Sequence, residues 1–161
     1  MKTIKNCEIC GCEHLLPVLD LGEHPLCDDL LPINSDKICK EYPIRILYCP
    51  NCYSAHQQYQ VEKETLFPKD YHYRSRFTKD VLNGMRDFVS SCKNKLGTLQ
   101  GKTVIDIGCN DGSLLNYFKA EGCITIGVEP TSACLDALSN GHEAYQKYFD
   151  AAIAKEIHNK H

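Results

Sequence analysis

Apolar residues follow two rhythms along this chain, and the change from one to the other divides it. In the first third they come in short runs broken by proline. Leu15-Leu16-Pro17-Val18-Leu19-Asp20-Leu21-Gly22 predicts a short strand ending in a turn, and Tyr42 to Tyr48 alternates like a half-buried strand. Pro17, Pro25, Pro32 and Pro43 punctuate the stretch, so little helix is expected there. From Thr78 the spacing becomes helical. Val81, Leu82, Met85, Phe88, Val89, Cys92 and Leu96 keep to one face, with Thr78 placed as N-cap, Asp80 in the first turn and Gly97 as the stop. Such a stripe faces a core.

Beyond Gly97, strand and helix patterns alternate. Lys102 to Ile107 predicts a strand; Leu114, Leu115 and Phe118 mark a helix closed by Gly122; Ile124 to Val128 predicts a second strand. Ser132 is placed to cap a helix through Leu138, which Gly141 ends. Glu143 to Tyr148 reads as a third strand or a loop, and Asp150 as the cap of a last helix, Ala151 to Ile157. The expected class is α/β, with a β-rich module at residues 1–70 and the beginning of a parallel sheet at residues 71–161. A sheet that begins but is not completed exposes its edge, and self-association through that edge is expected.

Composition narrows the partners. The chain has 161 residues, 43% of them hydrophobic, and a formal net charge of -3. That is enough for a core, but the acidic balance argues against nucleic acid, whose phosphates need clustered Lys and Arg. Met1 to Cys7 lacks the apolar run of a signal peptide, and no stretch approaches the ~20 apolar residues of a membrane span. A cytoplasmic location, away from membranes, is expected. In that reducing compartment the 11 cysteines should be metal ligands or small buried residues rather than disulfides.

Two cysteine pairs stand out. Cys7-Glu8-Ile9-Cys10-Gly11 and Cys49-Pro50-Asn51-Cys52 are both CxxC elements, each able to aim two thiolates at one point from a tight turn. Together they predict a tetrahedral metal site of Cys7, Cys10, Cys49 and Cys52. Zinc suits four soft thiolates without redox chemistry, although iron is also accepted by such a set. Four protein ligands leave no position for substrate, so the zinc is expected to be structural. Cys12 is the nearest substitute ligand. His14 and His56 read as surface or packing residues, and Cys27 and Cys39 as structural.

The second half carries a different motif. Val104-Ile105-Asp106-Ile107 runs into Gly108-Cys109-Asn110-Asp111-Gly112, a helix follows, and the next strand ends in Val128-Glu129-Pro130. A glycine turn brings backbone close to a ligand, and a carboxylate about twenty residues on, at the end of the second strand, can accept hydrogen bonds from both ribose hydroxyls. This is the beginning of a Rossmann-like cofactor site. The nicotinamide fingerprint G-x-G-x-x-G and the P-loop Gly-Lys-Ser/Thr are both missing, which favours S-adenosyl-L-methionine. The candidate cofactor-binding residues are Asp106, Gly108, Cys109, Asn110, Asp111, Gly112, Glu129 and Pro130. Asp106 is expected to support the loop or reach the amino-acid part of the cofactor through water.

Between the halves, Leu66 to Phe77 is dense in aromatic and basic side chains. Tyr71 and Tyr73 offer hydroxyls, and Arg74 and Arg76 offer guanidinium forks for a phosphorylated ligand; the same residues would serve equally as a packing linker. His72 is the nearest imidazole. Tyr71, Tyr73 and His72 are therefore the catalytic candidates of this chain.

These elements occur in an order that resembles the zinc-domain-containing sugar C-methyltransferases. The shared features are CxxCG, Leu-Asp-Leu-Gly followed by Pro-Leu, a second CxxC, Leu-Phe followed by Tyr-x-Tyr-x-Ser, then Ile-Gly-Cys-Asn-Asp-Gly and Gly-Val-Glu-Pro. The resemblance implies a zinc module followed by the first part of a class I methyltransferase fold. It also implies zinc on Cys7, Cys10, Cys49 and Cys52, cofactor contacts around Gly108, Asn110, Asp111 and Glu129, and Tyr71 and Tyr73 near a nucleotide-linked ketosugar or similar small metabolite. In that family a base removes the proton beside a ketone, and the enolate takes the methyl group. The family's proposed base, the later strands and a nucleotide-binding domain lie beyond the part this chain resembles. Family members carry a histidine in the helix after the tyrosines, where this chain has Asn83 and Gly84. Two other readings are a catalytically incomplete zinc-binding and partial-Rossmann fragment, and a zinc-ribbon RNA methyltransferase, which the acidic balance disfavours.

Overall fold

A computed structural model describes residues 1–161. The chain forms two compact units, Met1–Leu66 and Phe67–His161.

In the first unit, β1 (Lys2–Thr3) pairs antiparallel with β5 (Tyr59–Gln60), and β2 (Leu16–Pro25), β3 (Glu41–Tyr48) and β4 (Ala55–Gln57) form an antiparallel sheet in that order. One helical turn, α1 (Lys63–Leu66), ends the unit. The β2 strand runs three residues past the turn expected at Gly22. Its register slips between Pro17 and Leu19 and again between Asp20 and Glu23, which lets the chain carry a proline and a glycine without ending the ladder. As an edge strand, β2 leaves Leu16, Val18, Leu19 and Leu21 exposed. The pairing of Leu47 with His56 puts both side chains on one face, and both are buried.

The second unit opens with a 3₁₀ turn at Ser75–Phe77 and continues through α2 (Lys79–Leu96), β6 (Thr103–Ile107), α3 (Ser113–Ala120), β7 (Ile124–Val128), α4 (Ala133–Ser139), β8 (Glu143–Tyr145) and α5 (Ala151–Lys160). The strands are parallel in the order β6-β7-β8, so Glu143–Tyr145 is a strand and the sheet has three strands rather than two. This is a partial Rossmann-like sheet. Strand β7 is central and, after Ile124, buried throughout.

Alternation along the strands sends side chains to two covered faces. Val104 and Ala144 pack with Cys109, Leu115 and Ala137 on the side of α3 and α4. Ile126, Val128 and Tyr145 pack with Ile153 and Ile157 of α5 on the other. The stripe of α2 joins through Val89, which clusters with Leu99, Phe118 and Cys123. Edge strand β6 leaves Ile105 and Ile107 exposed.

Two of the expected helix caps are formed differently. Asp150 caps α5 as its sequence position predicts, its Oδ1 accepting the Ile153 N–H at 2.9 Å. Thr78 and Ser132 occupy the N-cap positions of α2 and α4, but neither side chain makes a capping bond. The Ser132 hydroxyl oxygen instead accepts from Arg74 Nη2 at 3.0 Å. No helix is long and apolar enough to cross a membrane.

Candidate functional site

The two CxxC elements fold into matching knuckles. In the first, Cys7 N–H donates to Cys12 O and Gly11 N–H to Cys7 O; in the second, Cys49 N–H donates to Ser54 O and Tyr53 N–H to Cys49 O. The fifth position of each turn is left-handed, Gly11 at φ 74° and Tyr53 at φ 62°. Only one of those positions is a glycine, so the equivalence is hidden in the sequence. An αL tyrosine is strained.

These turns bring the Sγ atoms of Cys7, Cys10, Cys49 and Cys52 within 4.8 Å of one another. Across the two knuckles, Cys7 Sγ lies 3.5 Å from Cys52 Sγ and Cys10 Sγ lies 3.7 Å from Cys49 Sγ. A tetrahedron of sulfurs about 2.3 Å from zinc has edges of ~3.8 Å, so the donor set fits that ion. All 11 cysteines are free. Cys12 lies outside the cluster, its Sγ directed to His14 O at 3.6 Å, and Cys39 Sγ meets Asp29 O at 3.2 Å.

The four sulfurs are not equivalent. The hydrogen bond from Asn51 Nδ2, 3.3 Å away, holds the Cys10 thiol down to about 6, while burial pushes Cys49 up to about 12. Cys52 is lowered by the Ser54 hydroxyl at 3.2 Å. His56, expected as a surface or packing residue, is buried with Nε2 3.2 Å from Cys7 Sγ. Its place four residues after the second CxxC, at the centre of a short strand, is the only sequence signal for this.

In the second unit the glycine turn leaves β6 beside the end of β7. Gly108 is left-handed at φ 80°, and a Cβ built there meets nothing within 4 Å, so backbone faces open space at the strand end. Glu129 is 6% exposed, with Oε2 accepting the Asn110 N–H at 3.1 Å and Oε1 the Thr131 N–H at 2.9 Å. Those two bonds fix its carboxylate at the turn and leave each oxygen further acceptor capacity, as a diol requires. Burial, with Glu129 adding repulsion, raises the Asp106 carboxyl above the usual range. The spare lone pairs of the Glu129 carboxylate suit a vicinal diol such as a ribose.

Other members of the predicted set are engaged with the protein itself. Cys109 is buried against Leu115 and Ala137, and burial pushes its thiol far up. A Cβ on Gly112 would lie 2.8 Å from the His142 ring, so that glycine serves close packing of α4 rather than an open cradle. Asp111 Oδ1 accepts from Ser113 N–H and Oγ, at 3.1 and 2.6 Å, and Oδ2 accepts the Arg76 N–H at 3.0 Å. Asn110 Oδ1 accepts the Ser75 N–H at 3.0 Å, and its Nδ2 donates to Tyr73 O at 3.1 Å. Pro130 is half-buried where the chain leaves β7.

The aromatic and basic segment is thus clamped to the turn. Arg74 donates to Asp136 Oδ2 at 2.7 Å, Ser132 Oγ at 3.0 Å, Tyr71 O at 2.6 Å and Tyr73 O at 3.0 Å. Arg76 lies 3.2 Å from the same Asp136 carboxylate. Desolvation opposes ionisation of Asp136, but the two guanidinium groups outweigh it and hold the pKa below the usual value. Arg74 is consumed by these bonds, so it staples the segment and is not a fork presented to a ligand. Tyr73 and His72 are exposed, and Tyr71 stacks edge-on with Phe67 at 5.7 Å.

The chain thus combines a pair of cysteine knuckles suited to zinc with a partial parallel α/β sheet that carries a buried carboxylate, Glu129, at the end of its central strand. Residues 7–67 match the family model described as "Putative zinc binding domain". Along its whole length the chain is similar to C-methyltransferase NovU of Streptomyces niveus, at 26% identity over 163 aligned positions. It spans 39% of that protein's length.

Proposed function

We propose that this chain is the zinc-stapled, cofactor-binding portion of an S-adenosyl-L-methionine-dependent methyltransferase that acts on carbon in a nucleotide-linked ketosugar or similar small metabolite. The observation that carries the reading is the placement of Glu129: buried, at the end of β7, and bonded to the backbone of the turn that leaves β6. The similarity to a C-methyltransferase supports the reaction class. Zinc on Cys7, Cys10, Cys49 and Cys52 has a structural role, because four protein thiolates saturate its preferred geometry.

S-adenosyl-L-methionine, when bound, supplies an electrophilic methyl group. The chain's own residues bind and orient. Glu129 receives the ribose hydroxyls, the backbone at Gly108 admits the ligand, and Asp106, on β6, serves the amino-acid end. Asn110 ties the turn to the Tyr73–Arg76 segment, so the segment bearing Tyr71 and Tyr73 is held beside the cofactor end of the sheet.

Calorimetric titration of the zinc-loaded chain with S-adenosylhomocysteine tests the reading. Saturable binding is expected, weakened about 10- to 100-fold by Glu129→Gln, which keeps the shape but removes the charged acceptor. A folded sample that binds nothing would refute the cofactor assignment.

A further inference from the structure

Three of the four thiolates each meet a polar side chain from the second knuckle or the strand that follows it. His56 Nε2 is 3.2 Å from Cys7 Sγ, Asn51 Nδ2 is 3.3 Å from Cys10 Sγ, and Ser54 Oγ is 3.2 Å from Cys52 Sγ. The fourth, Cys49, has no exposed surface at all. We infer that His56, Asn51 and Ser54 are positioning residues for the metal, donating one hydrogen bond to each of these three sulfurs, and that His56 is the strongest of them.

Charge arithmetic gives the reason. A divalent ion with four thiolates carries an excess of about two negative charges. Sulfurs withdrawn from water need donors to stabilise that excess, and partners of this kind orient the ligands and tune the metal. His56 is the clearest case because it is buried, and a buried ring nitrogen needs a partner. A metal-bound thiolate offers only lone pairs, so Nε2 carries the hydrogen. Pairing of His56 with Leu47 across β3 and β4 turns the ring inward and fixes its reach to Cys7. Asn51 lies within the CxxC itself, so its short amide reaches the opposite knuckle, and Ser54 follows directly after the left-handed Tyr53.

The inference rests on the reading of the cluster as a metal site, and one experiment separates the two. The full chain is loaded with cobalt(II), and the sulfur-to-metal charge-transfer band is recorded beside the rate of zinc release to a chelator. Removing an N–H donor makes the sulfur more electron-rich. His56→Phe is therefore expected to move the band to lower energy and to speed release about 10- to 100-fold. His56→Gln, which can still donate, should recover part of both effects. Asn51→Ala alters an exposed side chain and should give the same signs at smaller size, so it decides the matter if His56→Phe does not fold. Unchanged band and release rate in the variants that fold would overturn the inference. Loss of the tetrahedral cobalt spectrum in His56→Phe would overturn it differently, by making His56 a ligand. A wild-type chain that takes up no cobalt would remove the metal reading and this inference together.

Discussion

Residues 1–66 bury four apolar side chains, Ile4, Cys7, Leu47 and Cys49, whereas residues 67–161 bury thirteen. Two of the four are thiols of the metal cluster. The rest of the first unit's apolar side chains, such as Ile44, Ile46 and Tyr48, are at best half-buried, so its core is small and cross-linking by a metal is the expected source of the missing stability. In the second unit, helices cover both faces of the central strand. One unit is built around a cysteine cluster suited to a metal and the other around a core.

Metal removal should break this contrast most severely. Chelation, or Cys49→Ser, is expected to abolish the dispersed amide NMR signals of residues 1–66 while those of β6 to β8 persist. Persistence of both sets after the metal is gone would mean that the first unit holds itself together by packing. The converse change is Leu115→Ala, which empties a fully buried position between α3 and the sheet. It should lower stability of the second unit by about 2–5 kcal/mol in denaturant titration, with zinc affinity unchanged.

A smaller effect comes from His142, also confined to the second unit. The buried ring bonds Thr125 Oγ1 at 2.8 Å through Nδ1 and Asn116 Oδ1 at 3.0 Å through Nε2, and burial, with Lys119 adding repulsion, lowers its pKa below 6.5. The folded state then binds fewer protons than the unfolded one. Its contribution is complete above the unfolded value of about 6.5 and declines as pH falls from there through the depressed folded value. The urea midpoint of the second unit should be lower at about pH 5.5 than at about pH 7.5, and His142→Gln should flatten the difference. An unchanged midpoint would contradict a depressed pKa for the ring.

The sequence made the local parts of both units legible. The two CxxC elements, the α2 helix and the strand-turn-helix-strand order around Gly108 depend on neighbours a few residues apart, and they occur where the patterns place them; the α2 stripe, expected to face a core along its length, buries only Val89 and leaves Phe88 and Leu96 exposed. What escaped depends on distance along the chain. Arg74 meets Asp136 and Ser132, and Asn110 meets Tyr73 and Ser75, across gaps that no periodicity spans. Ser132 looked like a helix cap because of its position, but the guanidinium group took its hydroxyl. His56 looked like a packing residue because a lone histidine carries no motif; only strand pairing turns it toward Cys7. The Tyr53 turn was hidden because a tyrosine occupies a conformation that glycine usually marks.

If the proposed function is right, the first unit is structural and the second binds the adenosyl cofactor. Amide-resolved NMR titration of the zinc-loaded chain with S-adenosylhomocysteine tests it most directly. The predicted result is saturable shifts at Asp106 to Asn110 and at Val128 to Thr131, with the signals of the cysteine knuckles unmoved. Shifts centred on Cys7 to Cys12 and Cys49 to Ser54, or none in a folded sample, would contradict it.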